Sequence, residues 1–432
     1  MVQNCFETQN YALLKNIIDE NKDIFKGVQK DSVLVDAVRF IYPEDKVFFP
    51  PWQSEADIFC ENEEVKNKKQ VLGGFFELGM EDISLAQKSV WDLWVGGKEY
   101  FGFYNARTAL MRALWEKGVT AVWLPAFIPQ NFLAVFVQNQ FIVKLYDINP
   151  QLDIAYDFLD TVSKGEAVLT LDYLGKPFSA DFYEHLASRK DIVWVHDKSY
   201  SLDSGIESKA DIVVYSPKNL FGVPDGGILV CEEAQKIGRW CYEQPADRDK
   251  GEALSCSAQI NELFSRYEDY GYAAKQTFIR HEQERIKNIL VKKPMSRLTE
   301  SMLKRISACE VIEKRKQNWK ILYRTLRDVC LWKIAEPNFA PYAFPLRMPA
   351  FMPAEILQTV LSRMDIVTER MYWVFPQENT MIRNQYDVLA KEIVLLPCDQ
   401  RCSQGQMQKL AEFVQKVLYD PQYIKSSIAN FS

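Results

Sequence analysis

The 432 residues are 47% hydrophobic and 25% charged, a composition that buries a sizeable core and suits two or three domains, or one large domain with a smaller companion. A formal charge of −6 leaves no basic footprint for nucleic acid or an anionic membrane, and no apolar run approaches the length of a membrane span. Nine scattered cysteines without a C-x-x-C pair, and three histidines, speak against a disulfide framework and a zinc site. The opening MVQNCFETQNYALLKNIIDENKD has no basic n-region or apolar h-region, so a reducing cytoplasm is expected. Short basic runs, Lys66–Lys69 and Lys314–Lys316, read as solvated helix faces.

Residues 1–95 form an N-terminal segment with an amphipathic helix over Tyr11–Glu20, then proline and aromatic punctuation at Phe48–Trp52. VLGGFFELGM (Val71–Met80) and WDLWVGGKEYFGFY (Trp91–Tyr104) have the glycine and aromatic content of tight turns and short extended pieces. From Asn105 the pattern is regular. NARTALMRALWEKG is a helix with Asn105 as N-cap and Gly118 as its stop, followed by a strand over Thr120–Pro125 and a helix after Pro129. Next come a strand over Phe141–Ile148, a helix over Ile154–Val162, a strand over Ala167–Leu174 and a helix over Ser179–Lys190. Strands Asp191–Asp197, Asp211–Ser216 and Gly226–Glu232 complete a region, 96–252, whose apolar strands alternate with helices. That pattern predicts an α/β domain with a mainly parallel sheet covered on both faces. Residues 253–432 begin with two long helices between Ala253 and Arg327. Strand-like YAFPLRM and VTERMYWVF then alternate with helices over Pro353–Arg363 and Ser403–Leu418, which predicts a smaller α+β C-terminal domain.

Open parallel sheets bind ligands beyond the carboxyl ends of their strands, so the residues after each strand are the candidates. HDKSYS puts Asp197 at one strand end. SPKNLFGVPDGG offers Ser216, Lys218 and a glycine-rich return at the next. The helix opening Ala106-Arg107-Thr108 offers free amides and a hydroxyl suited to a phosphate. Each has a plainer reading as a turn cap, a helix cap or a solvated lysine. No G-x-G-x-x-G follows a strand and no P-loop occurs, so the nicotinamide and nucleoside-triphosphate fingerprints are missing.

The segment HDKSYSLDSGIESKADIVVYSPKNLFGVPDGGILV resembles the core of the DegT/StrS-like sugar aminotransferases, pyridoxal-phosphate enzymes of fold type I. GGFFEL, NARTAL, WLPAFIP, LDYLGKP, EKRKQNWKIL and VLLPCDQRCSQGQMQKLAEFV agree with it in order and spacing, from about residue 70 to 420. The resemblance implies a three-layer large domain of the aspartate-aminotransferase type, the cofactor pyridoxal 5'-phosphate (PLP), a small amino or keto substrate and a homodimer. It implies Asp197 as partner of the pyridine nitrogen, Ser216 and the turn Ala106, Arg107, Thr108 as phosphate ligands, and Tyr200 over the ring. A lysine in this loop would form the Schiff base with the cofactor aldehyde and move the substrate proton.

Three departures from that pattern stand out. Counted without a gap from Gly226, the lysine position falls on Asn219; a one-residue slip restores Lys218 as the catalytic lysine. Tyr200 stands where the family usually has His or Gln, and Asp172 where His is common. With Asn219 in the lysine position the chain would be a degenerate relative, binding PLP noncovalently or keeping the fold for another purpose. An α/β enzyme with an unrelated cofactor, such as a glycosyltransferase, is the remaining alternative.

Overall fold

The computed structural model describes residues 72–73, 88–154, 157–223, 225–242, 291–349, 354–364, 366–371, 386 and 388–420. The expected helix at Tyr11–Glu20 and the first of the two long helices after Ala253 lie outside them.

Ser89 opens helix α1 (Val90–Trp94) with a reciprocal capping box to Asp92, so WDLW is helical rather than extended. Strand β2 (Tyr100–Phe103) leads into α2 (Ala106–Glu116), where the Asn105 side chain accepts the Thr108 amide at 2.8 Å. Then come β3 (Ala121–Pro125), α3 (Gln130–Gln138), β4 (Ile142–Tyr146), β5 (Ala167–Leu171), α4 (Ala180–Ser188), β6 (Val193–Asp197), β7 (Ile212–Tyr215) and β8 (Gly227–Val230). The helix expected over Ile154–Val162 is instead a short 3₁₀ turn, Asp157–Thr161. The Arg189 guanidinium takes the Leu159 and Val162 carbonyls at 2.9 Å each, a tertiary cap that ends the turn.

These strands form one seven-stranded sheet in the order β2-β8-β7-β6-β5-β3-β4, in which β8 alone runs against the others. Every residue of β5, β7 and β8 is buried, as strands covered on both faces require. Alternation sorts the side chains. Val214 and Leu229 join the core cluster of α2, with Ala109, Leu110 and Leu114, whereas Val213, Tyr215, Ile228 and Val230 pack against Trp91, Trp94, Leu298 and Met302 on the other face.

Beyond α5 (Ala234–Gly238), helix α6 (Arg297–Leu303) and the start of α7 (Ala308–Leu326) still pack on the large sheet. Farther along, α7 lies against α9 (Gln404–Tyr419), burying Trp319, Leu322, Leu410 and Val414. A full burial such as that of Leu322 is worth about 1.5–3 kcal/mol. With α8 (Ala354–Arg363), these helices accompany a three-stranded antiparallel sheet of order β11-β12-β9, built from Glu369–Arg370, Ile393–Pro397 and Ala343–Arg347. Strand β1 (Leu72–Gly73) pairs parallel with β10 (Ile366–Val367). The basic run at Lys314–Lys316 is not wholly solvated. Residues 311, 315, 318, 319 and 322 share the buried stripe of α7, and Arg315 in its midst is 0% exposed.

Candidate active site

Asp197 ends β6 at the carboxyl edge of the sheet. Its Cα partner on β7 is Val214, so its side chain takes the face that α2 covers. Burial pushes its carboxyl above the usual range, while the amide and hydroxyl of Ser199 pull it down; the amide donates to Oδ1 at 2.8 Å. Among the described residues no lysine or arginine is paired with it. A half-enclosed carboxyl with no lysine or arginine partner among the described residues fits a cationic N–H supplied by a ligand.

The neighbouring strand end carries the lysine. Ser216 leaves β7 and opens a 3₁₀ turn over Pro217–Asn219, closed by the Leu220 amide on the Pro217 carbonyl at 3.0 Å. Ser216 is buried and its hydroxyl caps nothing. Lys218 and Asn219 are both half-buried. The Asn219 amide donates to the Ser199 carbonyl at 3.0 Å, which ties this turn to the loop that follows Asp197. Asn219 is thereby held by a backbone contact.

The start of α2 completes the constellation. Gly226 donates to the Tyr104 carbonyl at 2.9 Å, and a Cβ on Gly227 would fall on the Asn105 carbonyl carbon and the Ala106 nitrogen. The Gly-Gly return is therefore needed for the backbone to reach the helix start. Ala106 and Arg107 remain partly exposed there, whereas Thr108 is fully buried, with its hydroxyl accepting the Val291 amide at 3.2 Å. Asp225, just before the glycines, is 2% exposed and accepts the Ser296 amide and hydroxyl at 2.8 Å each, with the Thr299 hydroxyl beside them.

Tyr200 meets Tyr342 edge-on at 4.9 Å, and the Tyr342 hydroxyl donates to Glu369 at 3.1 Å. It thus stands where the loop after Asp197 meets the segment before β9. That segment runs close to the sheet. Tyr342 donates to the Leu174 carbonyl at 2.9 Å, and Gly175, at φ +89°, has no room for a Cβ against the Ala340 carbonyl. A small cavity beside Tyr342 is lined by Gly73, Glu369 and Asp399. Burial would raise Asp399, but the bidentate Arg401, with Arg315 behind it, holds its carboxyl down at about 2.

On the opposite face, Asp172 accepts His196 Nε2 at 2.8 Å and the Tyr183 hydroxyl at 3.0 Å, and His196 Nδ1 meets the Ser208 hydroxyl at 2.9 Å. Burial acts to raise the Asp172 carboxyl, yet His196 and Lys198 draw it below its ordinary value. Burial pushes the Lys198 amine down. This network lies on the far side of the sheet from Asp197. Several residues that shape the site lay outside the sequence-level candidates: Asp225, Arg315 and Gln400. Only Asp225 had a visible signal, its place before the glycine pair.

No family model and no curated protein sequence matches the chain. Solved structures do. The DesI structure determined in the presence of its TDP-sugar product is 14% identical, covers 78% of this chain and 86% of its own, and superposes with a TM-score of 0.57. The fold is that of the DegT/StrS-like sugar aminotransferases. PseC of Helicobacter pylori, an aminotransferase involved in pseudoaminic acid biosynthesis, is 14% identical over 82% of this chain and 94% of its own, with a TM-score of 0.55. DesV of S. venezuelae, in complex with a ketimine intermediate, is 14% identical over 83% and 92%, with a TM-score of 0.53. At such identities the likeness establishes the fold-type-I architecture of the DegT/StrS-like enzymes, including the parallel sheet whose carboxyl edge carries Asp197.

Proposed function

We propose that the chain is a PLP-dependent aminotransferase of the DegT/StrS type, transferring an amino group to a small keto substrate, with a nucleotide-linked keto sugar as the substrate class. The observation that carries this reading is Asp197: a half-buried carboxyl at the end of β6, with no lysine or arginine among the described residues paired to it, on the face of α2 and beside the turn bearing Lys218. When bound, PLP supplies an electrophilic aldehyde and a ring that withdraws electrons from the substrate carbon.

The chain's own residues do the rest. Asp197 holds a proton at the pyridine nitrogen. The Ala106 and Arg107 amides at the start of α2 bind the phosphate, with the Ser216 hydroxyl opposite and Thr108 securing the turn from beneath. Tyr200 covers the ring on the side of Tyr342. Lys218 provides the amine that attaches the cofactor and later carries the substrate proton. A homodimer in the cytoplasm belongs to the same reading; among the described residues no helix is long and apolar enough to cross a membrane.

The test is to incubate the purified chain with PLP, reduce with borohydride, and map the modified peptide. Label on Lys218 supports the reading. PLP that binds but is lost on denaturation after reduction would make the chain a degenerate relative, and no uptake at all would remove the cofactor from the account.

A further inference from the structure

Arg315 is the least expected side chain in the molecule. It is 0% exposed, on the inner stripe of α7, and its guanidinium donates to acceptors from three separate segments, with the Asp399 carboxylate near enough to feel its charge. Nε donates to the Gln400 side chain at 2.8 Å, Nη1 to the Pro341 carbonyl at 3.0 Å, and Nη2 to the Leu220 carbonyl at 3.3 Å. Gln400 donates to the same Leu220 carbonyl at 2.9 Å. Burying a guanidinium costs more than burying an apolar chain of its volume, so packing alone does not account for it. Its rigid fork of donors does what an aliphatic chain cannot, fixing several backbone carbonyls at once.

We propose that Arg315, together with Gln400, is a positioning residue for Lys218; the proposal rests on the aminotransferase reading above. Leu220 closes the turn that carries Lys218, through its amide on the Pro217 carbonyl. Its carbonyl is clamped by Arg315 and Gln400, and the intervening Asn219 is clamped to the Ser199 carbonyl. The backbone on either side of the Lys218 amine is thus fixed toward Asp197 from one direction and toward α7 from the other. The same guanidinium holds the Pro341 carbonyl, next to the Tyr342 that meets Tyr200. Placement of the lysine therefore depends on docking of the C-terminal elements onto the sheet.

The test uses the full chain with added PLP and the variants Gln400→Leu, Arg315→Met, Arg315→Lys and, as a control, Trp319→Phe. Trp319 lies on the same helix and donates to the Ile334 carbonyl at 2.9 Å, away from the lysine turn. Three quantities are read: melting temperature, the rate of borohydride-trappable attachment at Lys218, and the pH midpoint of the bound cofactor's visible absorbance. A displacement near an ångström in a reacting group costs roughly 10²-fold, so Gln400→Leu and Arg315→Met should slow attachment by about that factor and move the midpoint. Arg315→Lys should recover part of the rate, and Trp319→Phe should lower the melting temperature while leaving rate and midpoint alone. If Arg315→Met fails to fold, Gln400→Leu decides the matter. Folded Gln400→Leu protein with the wild-type rate and midpoint overturns the inference while leaving the aminotransferase reading intact. Wild-type protein that never attaches PLP at Lys218 overturns both.

Discussion

His196 and Asp197 are consecutive on β6, yet they serve opposite faces of the sheet and opposite purposes. His196 closes into a buried network with Asp172, Tyr183 and Ser208, in which an anion is balanced from within the protein. Asp197 looks toward α2 as a half-buried carboxyl that no lysine or arginine among the described residues pairs with. On one face of the carboxyl edge the carboxyl has side-chain partners from within the protein, and on the other it is left for a ligand to complete. Strand alternation alone makes the separation, because a one-residue step moves a side chain through the sheet.

The sharpest way to break this comparison is at the lysine. Lys218→Ala removes the proposed nucleophile from the turn after β7 and should lower the proposed amino transfer by about 10⁴-fold or more, with the melting temperature little changed. Steady-state assay with a keto-sugar nucleotide and an amino donor checks it; retained activity would move the chemistry elsewhere.

The next effect falls on the closed face. His196→Ala removes one partner of Asp172 Oδ1, leaving the Tyr183 hydroxyl and the nearby Lys198, and should cost about 1–3 kcal/mol in denaturant unfolding. Its pH dependence also changes. In the native protein the Asp172 carboxyl is held below its ordinary value, so its contribution is present above the unfolded value and lost as pH falls through the lowered one. Without His196 that contribution shrinks, so the variant should lose less stability than wild type as pH falls. PLP affinity of the folded variant should not change, and a change would couple the two faces.

Asp197→Asn should separate binding from stability. Burial raises the native carboxyl, so its stabilising contribution is present below the unfolded value and lost as pH rises through the raised one. The neutral amide escapes that loss, and the empty variant should melt above wild type at neutral pH. Loss of a charge-assisted hydrogen bond should nonetheless weaken PLP binding about 10- to 100-fold. A variant both less stable and equally tight in binding would contradict the assignment.

The smallest effect is at the helix start. Asn105→Ala removes the cap from the Thr108 amide and should cost about 1 kcal/mol, read by thermal unfolding. Because that amide lies next to the Ala106 and Arg107 donors, phosphate competition against PLP should weaken in the same variant.

Much of this was legible in the chain because it is locally encoded. Asn105 and Gly118 bracket α2, and the apolar runs ending in Asp197 and Ser216 give adjacent strand ends, so the candidate site could be assembled from strand order. What escaped was decided by tertiary partners. The WDLW helix depends on the short Ser89–Asp92 box inside an aromatic stretch that reads as turns, and the 3₁₀ turn at Asp157–Thr161 ends where Arg189 reaches its carbonyls. Arg315 sits in a run of charges that suggests a solvated face, and only the neighbouring α9 and the Leu220 loop make its position an interior one. Counting residues leaves both Lys218 and Asn219 open, and the Asn219 contact with Ser199, which links positions 20 residues apart, is announced by no local pattern.

The most direct measurement is a crystal structure of the chain grown with PLP. The account predicts the pyridine nitrogen within hydrogen-bond distance of Asp197, the phosphate on the Ala106–Arg107 amides, and continuous density to Lys218. Cofactor density on the His196 face, or a ring nitrogen turned away from Asp197, would contradict it.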